Sequence, residues 1–273
     1  MTDRAQERLD WEALAMAEPL PEGTVIADLT LGGVACETVT CGPVQGRLLL
    51  LHGGGYVSGS PRTHRKLAAW LAQIARLQVI TPDYRLAPEH PFPAGLDDAL
   101  AVWQALRADP GPLALAGDSA GGGLALALML AIKERGLMPP DSAALLSPWA
   151  DLTGQGPSLS VRAATETIIT QDGLNGAARD YAGEKDLRHP QISPVFADLT
   201  GLPPLLIDVA GDEILLGDAA LIAAHAQAVG VVTNFRVWPG LWHVWHHAAG
   251  QEPAADAALA RIAQFIDSHR RPV

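Results

Sequence analysis

A serine stands at the centre of Gly117-Asp118-Ser119-Ala120-Gly121-Gly122, and well upstream of it lies His52-Gly53-Gly54-Gly55. Glycines on both sides of Ser119 permit the sharp, strained strand-to-helix turn that leaves a serine hydroxyl exposed for attack on a carbonyl carbon. Such an attack creates a negative tetrahedral oxygen that must be met by preorganised donors, and a run of glycines lets backbone N–H groups approach it closely. The two strings together predict acyl transfer, one loop supplying the nucleophile and the other stabilising its product.

A serine hydroxyl needs a base to remove its proton, and the base needs an orienting acid, here expected in the order serine, acid, histidine. Asp212 is the first ionisable residue past the apolar run Leu205 to Val209, separated from it by Ala210-Gly211, and is the expected acid. Glu213 and Asp218 are the next candidates, while Asp208 lies inside the run, where a carboxylate would be costly. His243 follows the last apolar run by a Pro239-Gly240 turn and is the expected base. His246 and His247 read as solvated or capping residues and His225 as a helix-surface residue. His64, His90, His189 and His269 have no strand-end position. A metal cluster of His243, His246 and His247 lacks carboxylates at any recognisable spacing, so neither a metal nor another cofactor is expected.

The residues that must position this chemistry form an α/β pattern. Strand-like runs at Glu37 to Thr40, Leu48 to Leu51, Gln78 to Thr81, Leu113 to Ala116, Ala143 to Leu146, Pro204 to Val209 and Asn234 to Trp238 alternate with helical stripes. Leu67, Trp70, Leu71 and Ile74 form one stripe, Leu96, Leu100, Trp103 and Leu106 another, and Leu259, Ile262 and Ile266 a third. The alternation predicts a mainly parallel central sheet flanked by helices, within one domain spanning 1–273. Residues 1 to about 25 and about 151 to 190 break the pattern and are expected to form a small helical cap, because sites in such sheets lie beyond the carboxyl ends of the strands.

The 273-residue chain carries 19 Lys and Arg against 30 Asp and Glu, a formal charge of −11 that disfavours nucleic acid or an anionic membrane as partner. Small uncharged substrates are unaffected. Cys36 and Cys41 lack the second pair a zinc site would need and read as reduced structural thiols. Charges at Arg4, Glu7, Arg8, Asp10 and Glu12 leave no apolar centre for a secretory signal. The uncharged, mainly apolar stretch Ser119 to Ile132 falls short of the ~20 residues of a membrane span. A cytoplasmic protein acting on small uncharged esters is expected, with self-association as a homodimer left open.

The chain resembles the hormone-sensitive-lipase family of α/β-hydrolase esterases, in the branch whose nucleophile motif reads Gly-Asp-Ser-Ala-Gly-Gly. Asp83-Tyr84-Arg85-Leu86-Ala87-Pro88-Glu89-His90-Pro91-Phe92-Pro93-Ala94 is similar to a further family signature, and Ser193-Pro194, Gly211-Asp212-Glu213 and Leu241-Trp242-His243 fall at its later landmarks. The resemblance implies a Ser119, Asp212, His243 triad and an oxyanion hole made by the N–H groups of Gly53, Gly54 and Ala120. His52 and Gly55 would support the oxyanion loop. The acid motif reads Asp-Glu-Ile-Leu where the family commonly has Asp-Pro-Leu, which places Glu213 beside the site. Tyr56, Trp149 and Trp242 are candidate pocket residues, and Arg85 with Glu89 a structural ion pair. The implied activity is carboxylic ester hydrolysis through an acyl-enzyme on short- to medium-chain acyl groups. Lactones, aryl formamides and acetylated small molecules are alternative substrates, and a non-catalytic small-molecule receptor is the alternative outside catalysis.

Overall fold

Strand after strand in this chain is apolar at both alternating positions, so both faces of its sheet must be covered. The computed structural model describes residues 4–271, so residues 1–3 and 272–273 of the expected domain lie outside the described residues. Eight strands form one sheet: β1 (Thr24–Leu31), β2 (Val34–Cys41), β3 (Gly46–Leu51), β4 (Leu77–Pro82), β5 (Leu113–Asp118), β6 (Ala143–Leu146), β7 (Leu205–Ala210) and β8 (Thr233–Trp238). Their order is β1-β2-β4-β3-β5-β6-β7-β8, with β2 antiparallel to β1 and β4 and the other pairs parallel. Seven strands match the expected runs. The eighth, β1, does not: as an edge strand it stays half-exposed, carries Asp28 and Thr30, and so lacks the continuous apolar signal of its neighbours.

The helices are α1 (Arg4–Met16), α2 (Arg65–Ala75), α3 (Ala94–Arg107), α4 (Ala120–Glu134), α5 (Ser158–Val161), α6 (Gln171–Ala182), α7 (Leu216–Ala228) and α8 (Pro253–His269). Leu49, Leu51, Leu115 and Ile207 meet α3, α4 and α7 on one face, while Leu48, Leu50, Ala116 and Leu206 meet α2 and α8 on the other. Alternation along each strand thus yields two separate apolar layers. Helix ends follow local chemistry. Thr170 accepts the Gly173 N–H at 3.1 Å to open α6, and Glu252 accepts the Ala254 N–H at 3.1 Å to open α8 behind Pro253.

Helix α1 buries none of its residues. Ion pairs hold it instead: Arg4 to Asp180 at 2.8 Å, Arg8 to Glu89 at 2.8 Å and Glu12 to Arg62 at 3.2 Å. Glu89 therefore does not pair with Arg85. Arg85 grips Asp98, in the first turns of α3, at 2.7 Å, because that helix begins directly beneath its loop. Cys36 and Cys41 are buried and unbridged. No helix among the described residues is long and apolar enough to cross a membrane.

Candidate active site

Ser119 sits at the junction of β5 and α4 with φ 52° and ψ −123°, a conformation costly for a side-chain-bearing residue and typical of functional turns. The flanking glycines make it possible. A Cβ on Gly117 would run into the Gly121 carbonyl, and one on Gly121 into the Leu51 carbonyl, so the strand and helix could not approach with larger residues there. The turn is pinned by Ser119 N–H donating to Leu146 O at 2.8 Å and by Trp149 N–H donating to Ser119 O at 2.9 Å.

His243 brings Nε2 to 2.9 Å from Ser119 Oγ, and its Nδ1 lies 3.2 Å from Glu213 Oε2. The acid beside the imidazole is therefore Glu213, not Asp212. Glu213 is fully buried, and its Oε2 also accepts the Ser147 hydroxyl at 2.8 Å, which in turn accepts the Val244 N–H at 3.3 Å. Asp212 is half-buried, its carbonyl accepting the Thr165 hydroxyl at 2.8 Å and its carboxylate without a hydrogen-bond partner among the described residues. Of the two neighbours it is the fully buried glutamate whose carboxylate reaches the ring. Burial opposes a charged His243, but the hydrogen bond and charge of Glu213, helped by Glu166 and Asp118, outweigh it and raise the imidazole above its ordinary value.

The oxyanion loop also departs from expectation. Gly53 turns its N–H inward, donating to Asp118 Oδ1 at 3.1 Å and towards His64 Nε2 at 3.1 Å, so this group cannot also serve an oxyanion. Gly54 and Gly55 line the cavity beside Ser119, and their N–H groups have no acceptor among the described residues. Ala120 opens α4, so its N–H precedes the helix's own hydrogen-bond ladder. His52 is fully buried beneath the loop, stacked on Tyr84 at 4.0 Å, with Tyr84 donating to the His52 carbonyl at 2.6 Å. Burial, then the nearby His64, lowers its ring to about 3, so it stays neutral.

A cavity of about 730 Å³ opens over Ser119, within the usual size range for small-molecule sites. Trp242 lines it, as expected. Tyr56 and Trp149 do not. Tyr56 stacks on Tyr181 at 3.8 Å and leans on Trp149, and both are buried in the core below the site. The rest of the wall includes residues without a sequence signal: Glu7 and Trp11 of α1, Ile168 and Ile169 of the loop before α6, and Leu174 and Ala177 of α6. Glu166 ties this wall to the turn that carries Glu213. Its carboxylate accepts the N–H groups of Ile168 at 2.7 Å and Ile169 at 3.2 Å, and that of Ile214, next to Glu213, at 3.1 Å. His64 and His247, which showed no site signal, flank Asp118.

Residues 48–247 match the family described as having the alpha/beta hydrolase fold. An acetyl-hydrolase of Streptomyces hygroscopicus is 42% identical over 251 residues, spanning 90% of this chain and 83% of that protein. An esterase of Acinetobacter venetianus is 36% identical, spanning 89% and 82% respectively. Among solved structures, an esterase from the bacterial hormone-sensitive lipase family superposes with a TM-score of 0.95 at 38% identity, covering 98% of this chain and 92% of that one. The esterase EstE5, in a crystal soaked with ethyl alcohol, gives 0.94 at 37% identity with the same coverage. The chain belongs to the α/β-hydrolase fold family, in its hormone-sensitive-lipase group of esterases. It is a carboxylic ester hydrolase.

Proposed function

We propose that this enzyme is a serine carboxylesterase working through an acyl-enzyme on short- to medium-chain esters. The observation that carries the reading is the line Ser119 Oγ, His243, Glu213 opening onto a cavity edged by the N–H groups of Gly54 and Gly55, which have no acceptor among the described residues. Ser119 Oγ attacks the ester carbonyl carbon as His243 Nε2 takes its proton. The oxyanion is held by the N–H groups of Gly54, Gly55 and Ala120. His243 then delivers the proton to the leaving alcohol, and water, activated by the same imidazole, hydrolyses the acyl-enzyme. Glu213 keeps the ring proton on Nδ1 and stabilises the imidazolium, and Ser147 holds Glu213 in place.

Helix α1 and the segment carrying Ile168, Ile169 and α6 act as the cap. Their cavity supports acyl groups of roughly two to eight carbons. Each added methylene gains about 0.8 kcal/mol only while room remains to bury it. The acetyl-hydrolase name of one relative favours the short end of that range. The unbridged cysteines favour a cytoplasmic location. The test is a series of dissolved p-nitrophenyl esters of rising chain length, followed from the first turnover with wild type and Ser119→Ala. A stoichiometric burst, lost in the variant, and specificity that falls sharply by about twelve carbons are expected. Turnover that survives Ser119→Ala, or emulsified long-chain triglyceride preferred over dissolved short esters, would overturn it.

A further inference from the structure

Beside the nucleophile lies a buried carboxylate flanked by two imidazoles that ester hydrolysis does not use. His64 Nε2 is 3.1 Å from Asp118 Oδ1 and 3.3 Å from Oδ2, and His247 Nε2 is 3.6 Å from Oδ2. One donor atom from each residue lies within 4.8 Å of the others.

The hydrogen bonds around His64 decide which nitrogen of a neutral ring carries the proton. Thr63 has one hydroxyl proton, and Oγ1 stands 2.8 Å from the Ser60 carbonyl oxygen, which can only accept it. With that bond made, Oγ1 receives the proton of His64 Nδ1, 2.7 Å away. The Gly53 N–H lies 3.1 Å from both His64 Nε2 and Asp118 Oδ1 and can serve the carboxylate oxygen, which leaves Nε2 free. A neutral His64 thus carries its proton on Nδ1 and turns a bare Nε2 onto the Asp118 carboxylate. Two buried acceptors at that separation repel unless a cation lies between them.

We propose that His64, Asp118 and His247 form a binding site for one divalent transition-metal ion of the zinc type, held by two imidazoles and one carboxylate. Bonds of about 2.0–2.2 Å in a tetrahedral zinc site set ligand atoms roughly 3.3–3.5 Å apart. The 3.3 Å and 3.6 Å separations about Asp118 Oδ2 suit that geometry, and the full set, which spans up to 4.8 Å, closes around the ion on binding. The outer groups are in place as well: Thr63 on the far nitrogen of His64, and the Gly53 N–H on the other oxygen of Asp118. Asp118 and His247 both line the cavity, so the fourth position is open to water. Two nitrogen donors favour zinc, cobalt, nickel or copper over magnesium or calcium. The competing occupant is a proton on His64. The site stands independently of the reaction proposed above.

The test is titration of the chelator-stripped full chain with Zn²⁺ and with Co²⁺ at slightly alkaline pH, read by calorimetry, Co²⁺ visible absorption and melting temperature. One equivalent is expected to bind, with the intense absorption of four-coordinate cobalt and a raised melting temperature. Ser119→Ala and His243→Ala should bind equally well, which separates this site from the catalytic one. His64→Gln and His247→Gln should each weaken binding by roughly 100-fold or more, since loss of an outer partner alone costs 10–100-fold. His247 is partly exposed, so its variant is expected to fold, which circular dichroism checks. No uptake at stoichiometric metal would overturn the proposal in favour of a protonated His64. Uptake indifferent to both substitutions would overturn it in favour of another site.

Discussion

Asp212 and Glu213 are chemically alike and adjacent, yet one carboxylate is fully buried on the His243 imidazole and the other lacks a partner among the described residues. Glu213→Gln should lower turnover by about 10⁴, because the amide no longer fixes the ring tautomer or stabilises its charge. Asp212→Asn should cost less than about tenfold, as its hydrogen bond to Thr165 runs through the backbone carbonyl. Steady-state kinetics of the two variants would refute the pairing if the order were reversed. The same geometry sets the pH dependence. His243 must be unprotonated to accept the serine proton, and Glu213 raises its pKa, so activity should rise with pH through an inflection above about 6.5. Glu213→Gln should move the residual activity's inflection downward. A wild-type inflection below the ordinary imidazole value would contradict that sign.

At the scale of elements, the residues proposed for catalysis come from the carboxyl ends of β3, β5 and β7 and the loop after β8, while the wall above them comes from α1, α6 and the loop before α6. Glu166 joins the two layers with three backbone N–H groups, and Thr165 adds a bond to Asp212. Glu166→Ala should free Ile168 and Ile169 from the cavity wall and loosen the turn bearing Glu213. Charge-assisted hydrogen bonds are worth about 1.5–3 kcal/mol, so kcat/KM should fall by roughly tenfold or more, mostly through KM. The ester series would show this most for the longer acyl chains that touch the wall. An unchanged KM would mean that the wall keeps its place without Glu166.

Across the whole molecule, one buried acid unrelated to the reaction makes stability depend on pH. Asp218 opens its carboxylate to the Ala150 N–H at 2.9 Å and the Asp151 N–H at 2.8 Å, but burial raises its pKa to about 7. A group whose folded pKa lies above its unfolded value of about 3.9 favours the fold fully below that value. That contribution is lost as pH rises through about 7. Asp218→Asn keeps an oxygen for the two N–H groups and removes the titration. Melting temperature should therefore fall less between about pH 5 and pH 8 in the variant than in wild type. Parallel curves for the two proteins would remove Asp218 from the account.

The sequence by itself determined the features governed by local rules. Apolar runs filled at both parities could form only strands covered on both faces, and seven of the eight strands are legible for that reason. Gly117 and Gly121 mark the elbow because no side chain fits where strand, turn and helix meet. Ser119 and His243 were legible from their strand-end positions, and tertiary structure brings them together. Tertiary structure alone decided which way a side chain or an N–H turns in an irregular loop. That choice separates Glu213 from Asp212 and Gly54 from Gly53, and it depends on partners such as Ser147, Asp118 and His64 that lie far away along the chain. Contacts between distant segments likewise decided that Trp11 faces the cavity while Tyr56 and Trp149 sink into the core. No period or motif records such contacts, because their energy comes from packing and charge pairing that exist only once the sheet has formed.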